Sequence, residues 1–375
     1  MLQTLIAKLD ASPEQHDMLL ETMHRFNEAC NYIADVAFDK RMANKVALQK
    51  IVYYDVRERF QLSAQMTVRA ISKTVEAYKR DKRKKPSFKP EGAMVYDQRI
   101  LSWKGLDRVS ILTIRGRIRV PIVVGAYQAA RLDRIRGQAD LIYRKGTFYL
   151  AVVVDVLEST PIEPVTVLGV DLGIKNLAVD SDGTIFSGEK VDKLRRKMDK
   201  LKAALQRCGT KSAKKHLKRV SGRESRFRRD TNHVISKQVV AKAKDTSAVI
   251  ALEDLKGITT RTTVRKRQRR RHNSWGFYQL RQFIEYKAML VGIPVVGIDP
   301  AYTSQECPVC HHIAKSNRKD RDSFICGMCG FSGCADHIAA MNIAARVAVN
   351  LPIVSGFFAH NFYLRDKPTA LAVGS

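Results

Sequence analysis

Four cysteines place the strongest local constraint on what this chain can fold into. They form two pairs of equal spacing, Cys307-Pro-Val-Cys310 and Cys326-Gly-Met-Cys329, and fifteen residues separate the pairs. Two thiolates that are two residues apart lie on one tight turn, so two such turns can supply the corners of a tetrahedral metal shell. We therefore expect Cys307, Cys310, Cys326 and Cys329 to bind one Zn²⁺ in a zinc ribbon. Because four thiolates leave no open position for a substrate, the expected role is structural.

Segments that lead into carboxylates form the second informative pattern. Residues 165–170 are mostly apolar and lead into Asp171, a second apolar segment leads into Glu253, and an alanine-rich segment predicted to be helical carries Asp336 in its first turn. Strand ends and first turns hold side chains rigidly where several elements converge. Mg²⁺ prefers oxygen ligands, and two such ions about 4 Å apart can stabilise both oxygens of a phosphodiester displacement. The three acids therefore indicate a nuclease centre.

The same residue type also has a simpler interpretation. An aspartate that follows a strand more often forms a turn or caps a helix, and the spacing of the three acids does not by itself decide between the two interpretations. We assign Asp254 and Asp299 to the simpler one. Asp254 is expected to cap the segment that follows it, and Asp299 precedes Pro300 in a turn.

Positive charge is concentrated in the second half of the chain. The protein has 66 Lys and Arg against 37 Asp and Glu, a net charge of +29, and residues 190–271 alone hold 28 basic and 7 acidic residues. Each phosphate that a protein neutralises releases condensed counterions, so a surface of this kind favours a polyanion. A ribosomal-type or merely solubilising surface is the alternative.

The sequence also bears on the compartment. No run of about 18 apolar residues is present, which predicts that no segment crosses a membrane, and the first residues lack the pattern of a signal peptide. Four of the seven cysteines fall into metal-ligand spacing rather than a disulfide framework. A reducing, cytosolic setting is therefore expected.

The N-terminal part combines a helical and a β pattern. Residues 2–9 alternate like a strand, whereas residues 12–40 and 64–80 have the apolar spacing of amphipathic helices, the first with Ser12 as its N-cap and Pro13 in its first turn. Between about 90 and 160, alternating segments with glycine turns predict the hairpins of a small β-barrel.

Five segments, taken together and in order, resemble the TnpB family, the transposon-encoded RNA-guided nucleases related to Fanzor and to type V CRISPR effectors. The segments are GVDLGIKNLAVDSDG, IALEDLKG, YKAMLVGIPVVGIDPAYTSQECPVC, FICGMCGF and ADHIAAMNIA. The resemblance covers roughly residues 165–348, and the N-terminal part is similar more loosely. Its specificity lies in the order of the acids and in the cysteine pairs that precede the last acid.

The resemblance implies a multidomain α/β fold with an RNase H-like (RuvC) catalytic domain, a zinc ribbon insertion, and an N-terminal wedge-type β-barrel with a helical recognition insert. The implied boundaries are 1–10 and 86–160 for the barrel, 11–85 for the helical insert, 165–300 and 335–350 for the RuvC-like domain, 190–245 for a basic helical segment within it, 301–334 for the ribbon and 351–375 for a C-terminal tail.

The resemblance also implies a function. Asp171, Glu253 and Asp336 match the catalytic acids of the family and would bind two Mg²⁺, and the glycines at 169 and 173 would let the chain turn closely around this site. The implied activity is RNA-guided endonuclease cleavage of guide-matched DNA, so the expected partners are a guide RNA derived from a transposon end and target double-stranded DNA, with one protein chain for each RNA. The expected setting is the nucleoid of a bacterial or archaeal cell, away from membranes.

One departure from the family keeps a second function open. The family usually has Asn two residues after the last aspartate, and this chain has Ile338 there. The alternative is therefore a cleavage-deficient RNA-guided DNA-binding protein that acts as a transcriptional roadblock. A zinc-ribbon RNA-binding protein without a guide also fits the charge and the cysteines, but it leaves the acids unexplained.

A basic tract and three aromatic residues have two interpretations each. The tract Arg265 to Arg271 fits either a nucleic-acid contact or a solvated loop. Trp275, Phe277 and Tyr278, at the start of the following helix, fit either base stacking or, as we favour, packing in the core or as a helix staple.

Overall fold

A computed structural model of the protein describes residues 1–254 and 277–348. The chain divides into two compact units, Met1–Leu157 and a second unit that begins at Glu158. Among the described residues, no helix has both the length and the apolar character that crossing a bilayer requires. The tract Arg265 to Arg271, Trp275 and the tail 351–375 lie outside the described residues.

The first unit inserts helices between the first two strands of a sheet. Its helices are α1 (Pro13–Asp39), α2 (Lys45–Phe60), α3 (Ala64–Arg80) and the short α4 (Ala126–Ala129), and its strands are β1 (Leu2–Leu9), β2 (Met94–Tyr96), β3 (Leu101–Lys104), β4 (Arg108–Thr113), β5 (Gly116–Val123), β6 (Ile135–Arg144) and β7 (Thr147–Asp155). Helix α1 begins after the expected N-cap, Ser12. The cap is part of a capping box, in which the Ser12 hydroxyl accepts from the Gln15 backbone N–H and the Gln15 side chain accepts from the Ser12 N–H.

Helix α2 has no counterpart among the helices predicted from periodicity. Its buried side chains, Leu48, Val52 and Val56, form a narrow stripe at a spacing of four residues. Other apolar residues of the same helix, including Val46 and Tyr54, are exposed on its remaining surface. The apolar residues therefore surround the helix, and the one-sided pattern that identifies an amphipathic helix is lost.

The sheet of the first unit is a nearly closed barrel. All of its pairings are antiparallel, and the strand order is β2-β6-β7-β1-β5-β4-β3. The two edge strands, β2 and β3, follow each other in the chain, so the sheet must curl until its ends are adjacent. The Tyr96 hydroxyl on β2 donates to the Leu112 carbonyl on β4 at 3.1 Å, which links the two ends.

The second unit is built on a mixed five-stranded sheet. Its strands are β8 (Thr166–Asp171), β9 (Asn176–Asp180), β10 (Ile185–Ser187), β11 (Ala248–Glu253) and β12 (Val295–Ile298), in the order β10-β9-β8-β11-β12. Strands β8, β11 and β12 are parallel, whereas β9 and β10 pair antiparallel. The carboxyl ends of parallel strands meet at one edge of a sheet, so the ends of β8 and β11 are neighbours.

Helices cover both faces of this sheet. The helices are α5 (Glu189–Cys208), α6 (Lys211–Val220), α7 (Arg223–Asp245), α8 (Phe277–Leu290) and α9 (Ala335–Ala348). Helices α7 and α8 pack on one face through residues such as Val239 and Ile284, and α9 packs on the other face through Ile343 and Val347. The parallel strands are therefore buried on both sides, which explains their almost continuous apolar sequence.

Gly169 allows α9 to lie directly on β8. A Cβ atom at this position would be 2.2 Å from the Ala340 carbonyl oxygen and 2.6 Å from the Ala344 nitrogen. Real atoms do not approach so closely, so only glycine permits this contact. The immediate neighbour of Gly169 is thus helix α9, which begins beside the carboxyl end of β8.

Candidate active site and metal centre

The three acids singled out from the sequence lie on three elements of the second unit that meet at one edge of its sheet. Asp171 is the last residue of β8, Glu253 is the last residue of the neighbouring parallel strand β11, and Asp336 is the second residue of α9, which packs on β8. All three are partly buried. The fold therefore brings Glu253 and Asp336 close enough to Asp171 for their charges to interact, although Asp171 and Asp336 are 165 positions apart in the chain.

Burial and like charges disfavour the ionised form of Asp171. Burial, then the charges of Glu253 and Asp336, raise the pKa of Asp171 to about 8. Burial also raises the pKa of Glu253 above its ordinary value. A carboxylate loses solvation when it is buried, and like charges nearby make its ionised form still less favourable. The cluster therefore carries more negative charge than its protein surroundings balance.

The chemistry of this donor set fits divalent cations, because carboxylate oxygens are the ligands that Mg²⁺ prefers and the excess negative charge favours a cation. The carboxylate oxygens are more widely spaced than the atoms of a closed metal shell. Within the described part of the chain, the three acids do not form a group whose oxygens all lie within 4.8 Å of one another. Binding of one ion by all three would therefore require their side chains to rotate inward.

Each carboxylate receives a hydrogen bond from a neighbouring group. The Asn176 side-chain amide donates to Asp336 Oδ2 at 2.9 Å, the Thr303 hydroxyl donates to Glu253 Oε1, and the Leu172 backbone N–H donates to Asp171. Such bonds restrict the rotation of a carboxylate while its other oxygen positions stay available to a ligand. Thr303 had not been identified from the sequence.

Arg318 is a cation beside the acids that the sequence analysis did not identify. One of its guanidinium nitrogens lies 3.6 Å from Asp336 Oδ1, and its charge acts to lower the pKa of both Asp171 and Glu253. The residue lies between the two cysteine pairs, in a segment without regular structure. Among 66 Lys and Arg nothing in the sequence marks it, and only the tertiary fold shows its position. An arginine beside acids that could hold cations is well placed to bind a phosphate oxygen.

A basic groove of about 820 Å³ opens beside the acids. Its cationic side chains are Lys175, Lys193, Arg196, Lys197, Lys200 and Arg321. Four of them lie along α5 at positions that share one face of a helix. Asn176, which donates to Asp336, also lines this groove. A phosphate chain bound along α5 would therefore pass close to the acids.

The four cysteines form the tightest cluster of metal-ligand atoms in the described residues. Their Sγ atoms all lie within 4.8 Å of one another, with 3.6 Å between Cys307 and Cys329 and 3.5 Å between Cys310 and Cys326. A Zn–S distance of about 2.3 Å in a tetrahedron places sulfur atoms about 3.8 Å apart. The backbone N–H groups of Cys329 and Met328 donate to Cys326 Sγ and lower the pKa of this thiol to about 6. The cluster can therefore hold a tetrahedral metal ion.

A buried asparagine connects the two cysteine turns. Asn317 donates to the backbone carbonyls of Gln305 and His312 near the first turn, and it accepts from the Gly327 N–H in the second. Its side chain is fully buried. The hairpin of β13 (Ser323–Ile325) and β14 (Ser332–Cys334) completes this small structure. The spacing of the cysteines predicts the cluster but gives no indication of Asn317.

Ile338 points into the core beneath the cysteine cluster. It is buried with Cys307, Cys326, Phe324 and Ala335. The departure from the family at this position therefore adds an apolar contact between α9 and the cysteine segment, while the amide that reaches Asp336 comes from Asn176. The side chain of Tyr278 is 59% exposed, so it does not pack in the core.

Comparison with known proteins gives two family matches. Residues 151–258 match a family described as a probable transposase, and residues 277–343 match the Cas12f1-like TNB domain. The second match includes all four cysteines and Asp336, and the first includes Asp171 and Glu253. The two matches together therefore contain every residue of the candidate site.

Three relatives resemble the chain at similar levels. A CRISPR-associated endodeoxyribonuclease Cas12f1 of Sulfoacidibacillus thermotolerans is 29% identical, and the alignment covers 62% of this chain and 60% of the relative. A putative RNA-guided DNA endonuclease, InsQ of Escherichia coli, is 30% identical over 53% of this chain and 54% of the relative. A TnpB-like protein of Methanocaldococcus jannaschii is 28% identical over 63% and 90%. The chain thus spans little more than half the length of the first two.

The electrostatics of Asp171 predict a pH-dependent stability in the absence of divalent ions. Because folded Asp171 keeps its proton up to a pH of about 8 whereas the unfolded chain loses it near pH 4, the free energy of unfolding should fall as the pH rises between these values. Asp171→Asn should remove this part of the dependence and raise the Tm at pH 8. Thermal unfolding followed by circular dichroism over a pH series measures both.

Asp180→Asn is the matched control. This aspartate is also buried, but hydrogen bonds from Lys242 and Thr184 outweigh its burial and lower its pKa. Its ionised form stabilises the fold at neutral pH, so its replacement should lower the Tm there, and the difference should shrink as the pH falls through the pKa of folded Asp180. A lower Tm at pH 8 for both variants would contradict the assignment of Asp171.

Proposed function

We propose that this chain, which belongs to the TnpB family, is an RNA-guided endonuclease that hydrolyses phosphodiester bonds of guide-matched DNA at Asp171, Glu253 and Asp336. The observation that carries the proposal is that these acids meet at one edge of the sheet, next to a basic groove. Relatives of the chain that are named as endonucleases support it. A polyanion-binding surface that surrounds a negative centre is typical of metal-dependent phosphodiester hydrolysis.

The fold supports an RNase H-like (RuvC) interpretation of residues 165–300 and 335–350. Three parallel strands flanked by an antiparallel pair, with a helix on each face, hold the acids at the carboxyl ends of β8 and β11 and at the start of α9. Residues 301–334 would form the zinc ribbon. In the first unit, the nearly closed barrel would be the wedge-type domain and α1–α3 the recognition insert that contacts the guide RNA.

The residues of the site suggest a division of roles in catalysis. Asp171, Glu253 and Asp336 would hold two Mg²⁺, which would stabilise the attacking and leaving oxygens of the displacement. Asn176 would fix the orientation of the Asp336 carboxylate through its hydrogen bond. Arg318 would bind a non-bridging oxygen of the reacting phosphate once cations neutralise the acids that it now faces.

The positive charges of the groove suggest how the protein would bind its nucleic-acid partners. Lys193, Arg196, Lys197 and Lys200 on α5 would contact the backbone of a single strand that has been displaced from the duplex, because their charges neutralise phosphates without reading bases. Sequence specificity would come from pairing between the guide RNA and the target, so the protein itself would need few base contacts. We expect one protein chain to bind each guide RNA.

The alternative function is an RNA-guided binder that has lost cleavage. Ile338 is the observation that favours it, since the family usually has an amide there. The orientation of Ile338 weakens this alternative, because its side chain packs against the cysteine segment while Asn176 supplies an amide to Asp336. We therefore keep cleavage as the proposed function.

The central test is cleavage of a matched duplex in Mg²⁺ by the protein in complex with its native RNA. Asp171→Ala should reduce the cleavage rate by about a thousandfold or more, because it removes one of the three acids that would hold the ions, while DNA binding in a gel-shift assay should be unchanged. Asp182→Ala is the matched control, since this exposed aspartate follows β9 and should leave cleavage intact. Wild-type protein that binds the duplex but cuts under no divalent metal would establish the binder instead.

The cysteine cluster predicts about one zinc ion per chain by elemental analysis. Cys307→Ser should lose the ion, because a hydroxyl is a poor ligand in a thiolate shell. Cys334→Ser should retain it, since Cys334 is an exposed cysteine of the same segment outside the cluster. Equal zinc content in the two variants would argue against the assignment of Cys307.

The groove predicts a strong salt dependence for binding of single-stranded DNA. Each phosphate contact contributes about 0.7 to the slope of log affinity against log salt, so replacing Lys193, Arg196, Lys197 and Lys200 by Ala should lower the slope by about three. A filter-binding titration with an unstructured oligonucleotide measures this. The control replaces four exposed lysines of α6, Lys211, Lys214, Lys215 and Lys218, which removes the same charge. A similar decrease in both variants would indicate a diffuse field rather than a groove.

A further inference from the structure

We propose that Thr303 is a positioning residue for Glu253 and that Asn342 holds Thr303 in place. The inference rests on the proposed function in one respect, since it takes the Glu253 carboxylate to be a ligand for a divalent ion. It assigns a task to the segment between β12 and the cysteine cluster.

The first step is the bond between Thr303 and the acid. The Thr303 side chain is buried, and its hydroxyl donates to Glu253 Oε1. The hydroxyl also lies 3.1 Å from the Pro300 carbonyl, but it has a single proton. A carboxylate is the stronger acceptor, so the proton goes to Glu253 while the acid is ionised. The bond therefore restricts the rotation of the Glu253 carboxylate, as a hydrogen bond to a ligating group does.

The second step is the support of Thr303 by α9. Asn342 on this helix is buried, and its side-chain amide donates to two backbone carbonyls, those of Thr303 and Glu306, at 2.8 Å each. Both hydrogens of the amide are therefore used to hold the segment that carries Thr303. A buried amide with two good bonds is costly to remove, because the two carbonyls would lose their partner.

The third step extends the support to both ends of the segment 299–306. Arg346, one turn further along α9, donates to the Asp299 carbonyl and to Glu306 Oε2 at 3.0 Å each. Within the segment, Tyr302 has a φ of 62°, a left-handed conformation that a bulky side chain rarely adopts. Such a conformation persists only where the surrounding contacts fix the backbone. The left-handed backbone of Tyr302, next to Thr303, therefore supports the view that the contacts from α9 fix the conformation of this segment.

The consequence is that one helix positions two of the three acids. Helix α9 carries Asp336 itself, and through Asn342 and Thr303 it also fixes the rotamer of Glu253 on β11. The segment continues directly into Cys307, so the cysteine cluster anchors its end. If the role of Thr303 were only to stabilise the loop, its hydroxyl would affect folding but not the affinity of Glu253 for an ion.

The experiment measures Mn²⁺ binding to the full-length protein by electron paramagnetic resonance, without DNA. Thr303→Val removes the hydroxyl at nearly constant volume and should weaken binding at the acids about tenfold, the lower end of the effect expected for a residue that orients a ligand. Thr303→Ser should restore it. Thr246→Val is the control, because this exposed threonine lies before β11, at the end opposite to Glu253, and its hydroxyl donates to the Lys242 carbonyl of the preceding helix.

A double-mutant cycle with Glu253→Gln separates positioning from a general effect on the fold. In the Gln background, Thr303→Val should cause no further loss of Mn²⁺ affinity. An equal loss in both backgrounds, wild-type affinity in Thr303→Val, or the same affinity in wild type and Glu253→Gln would each overturn the proposal. If Thr303→Val does not fold, the comparison of Thr303→Ala with Thr303→Ser tests the hydroxyl alone.

The outcome is distinguishable from a failure of the proposed function. Loss of Mn²⁺ affinity in Thr303→Val together with a wild-type complex that never cuts DNA would leave the positioning role standing and remove the nuclease. Conversely, a wild-type complex that cuts DNA while Thr303→Val binds Mn²⁺ normally would keep the nuclease and remove the positioning role.

Discussion

The direct contact between α9 and β8 is the constraint on which the candidate site depends. It exists because position 169 has no side chain, so the helix backbone can lie where a Cβ atom would otherwise stand. The contact brings the start of α9, with Asp336, beside the carboxyl end of β8, with Asp171. The parallel pairing of β8 and β11 then adds Glu253 at the same edge. The acids are thus gathered by backbone packing rather than by attraction between them.

Their gathering is electrostatically unfavourable until a cation is present. Burial and like charges raise the pKa of Asp171, and the fold offers Arg318 as a partial counter-charge at 3.6 Å from Asp336. The groove along α5 supplies further positive charge beyond the acids. The negative centre therefore lies beside a positive surface, which contributes a part of the net charge of +29. A phosphate chain would be attracted to the groove and repelled from the centre unless ions are bound there.

The parts of this structure that the sequence predicted are those that follow from local patterns. The N-cap of α1, the strands that end at Asp171 and Glu253, and the cysteine pairs each depend on residues close together in the chain. The unpredicted parts depend on tertiary contacts. Helix α2 lacks a one-sided apolar pattern, and Arg318, Thr303 and Asn317 resemble many other polar residues until the fold brings them to the acids or the cysteines. The catalytic roles and the domain boundaries remain proposals.

Helix α9 shows why the cysteine cluster and the acids are best understood as one structural unit. Ala335 and Ile338, on one side of its first turn, pack with the cysteines. Asp336 lies near Asp171 and accepts a hydrogen bond from Asn176. Ile343 and Val347 pack on the sheet, and Asn342 holds the segment that leads from β12 to Cys307. A rotation of the helix that preserved one of these contacts would break the others, because their directions around the helix differ. A metal ion in the cysteine cluster, although it is not expected to touch a substrate, would therefore contribute to catalysis by fixing the orientation of the helix that carries the last acid.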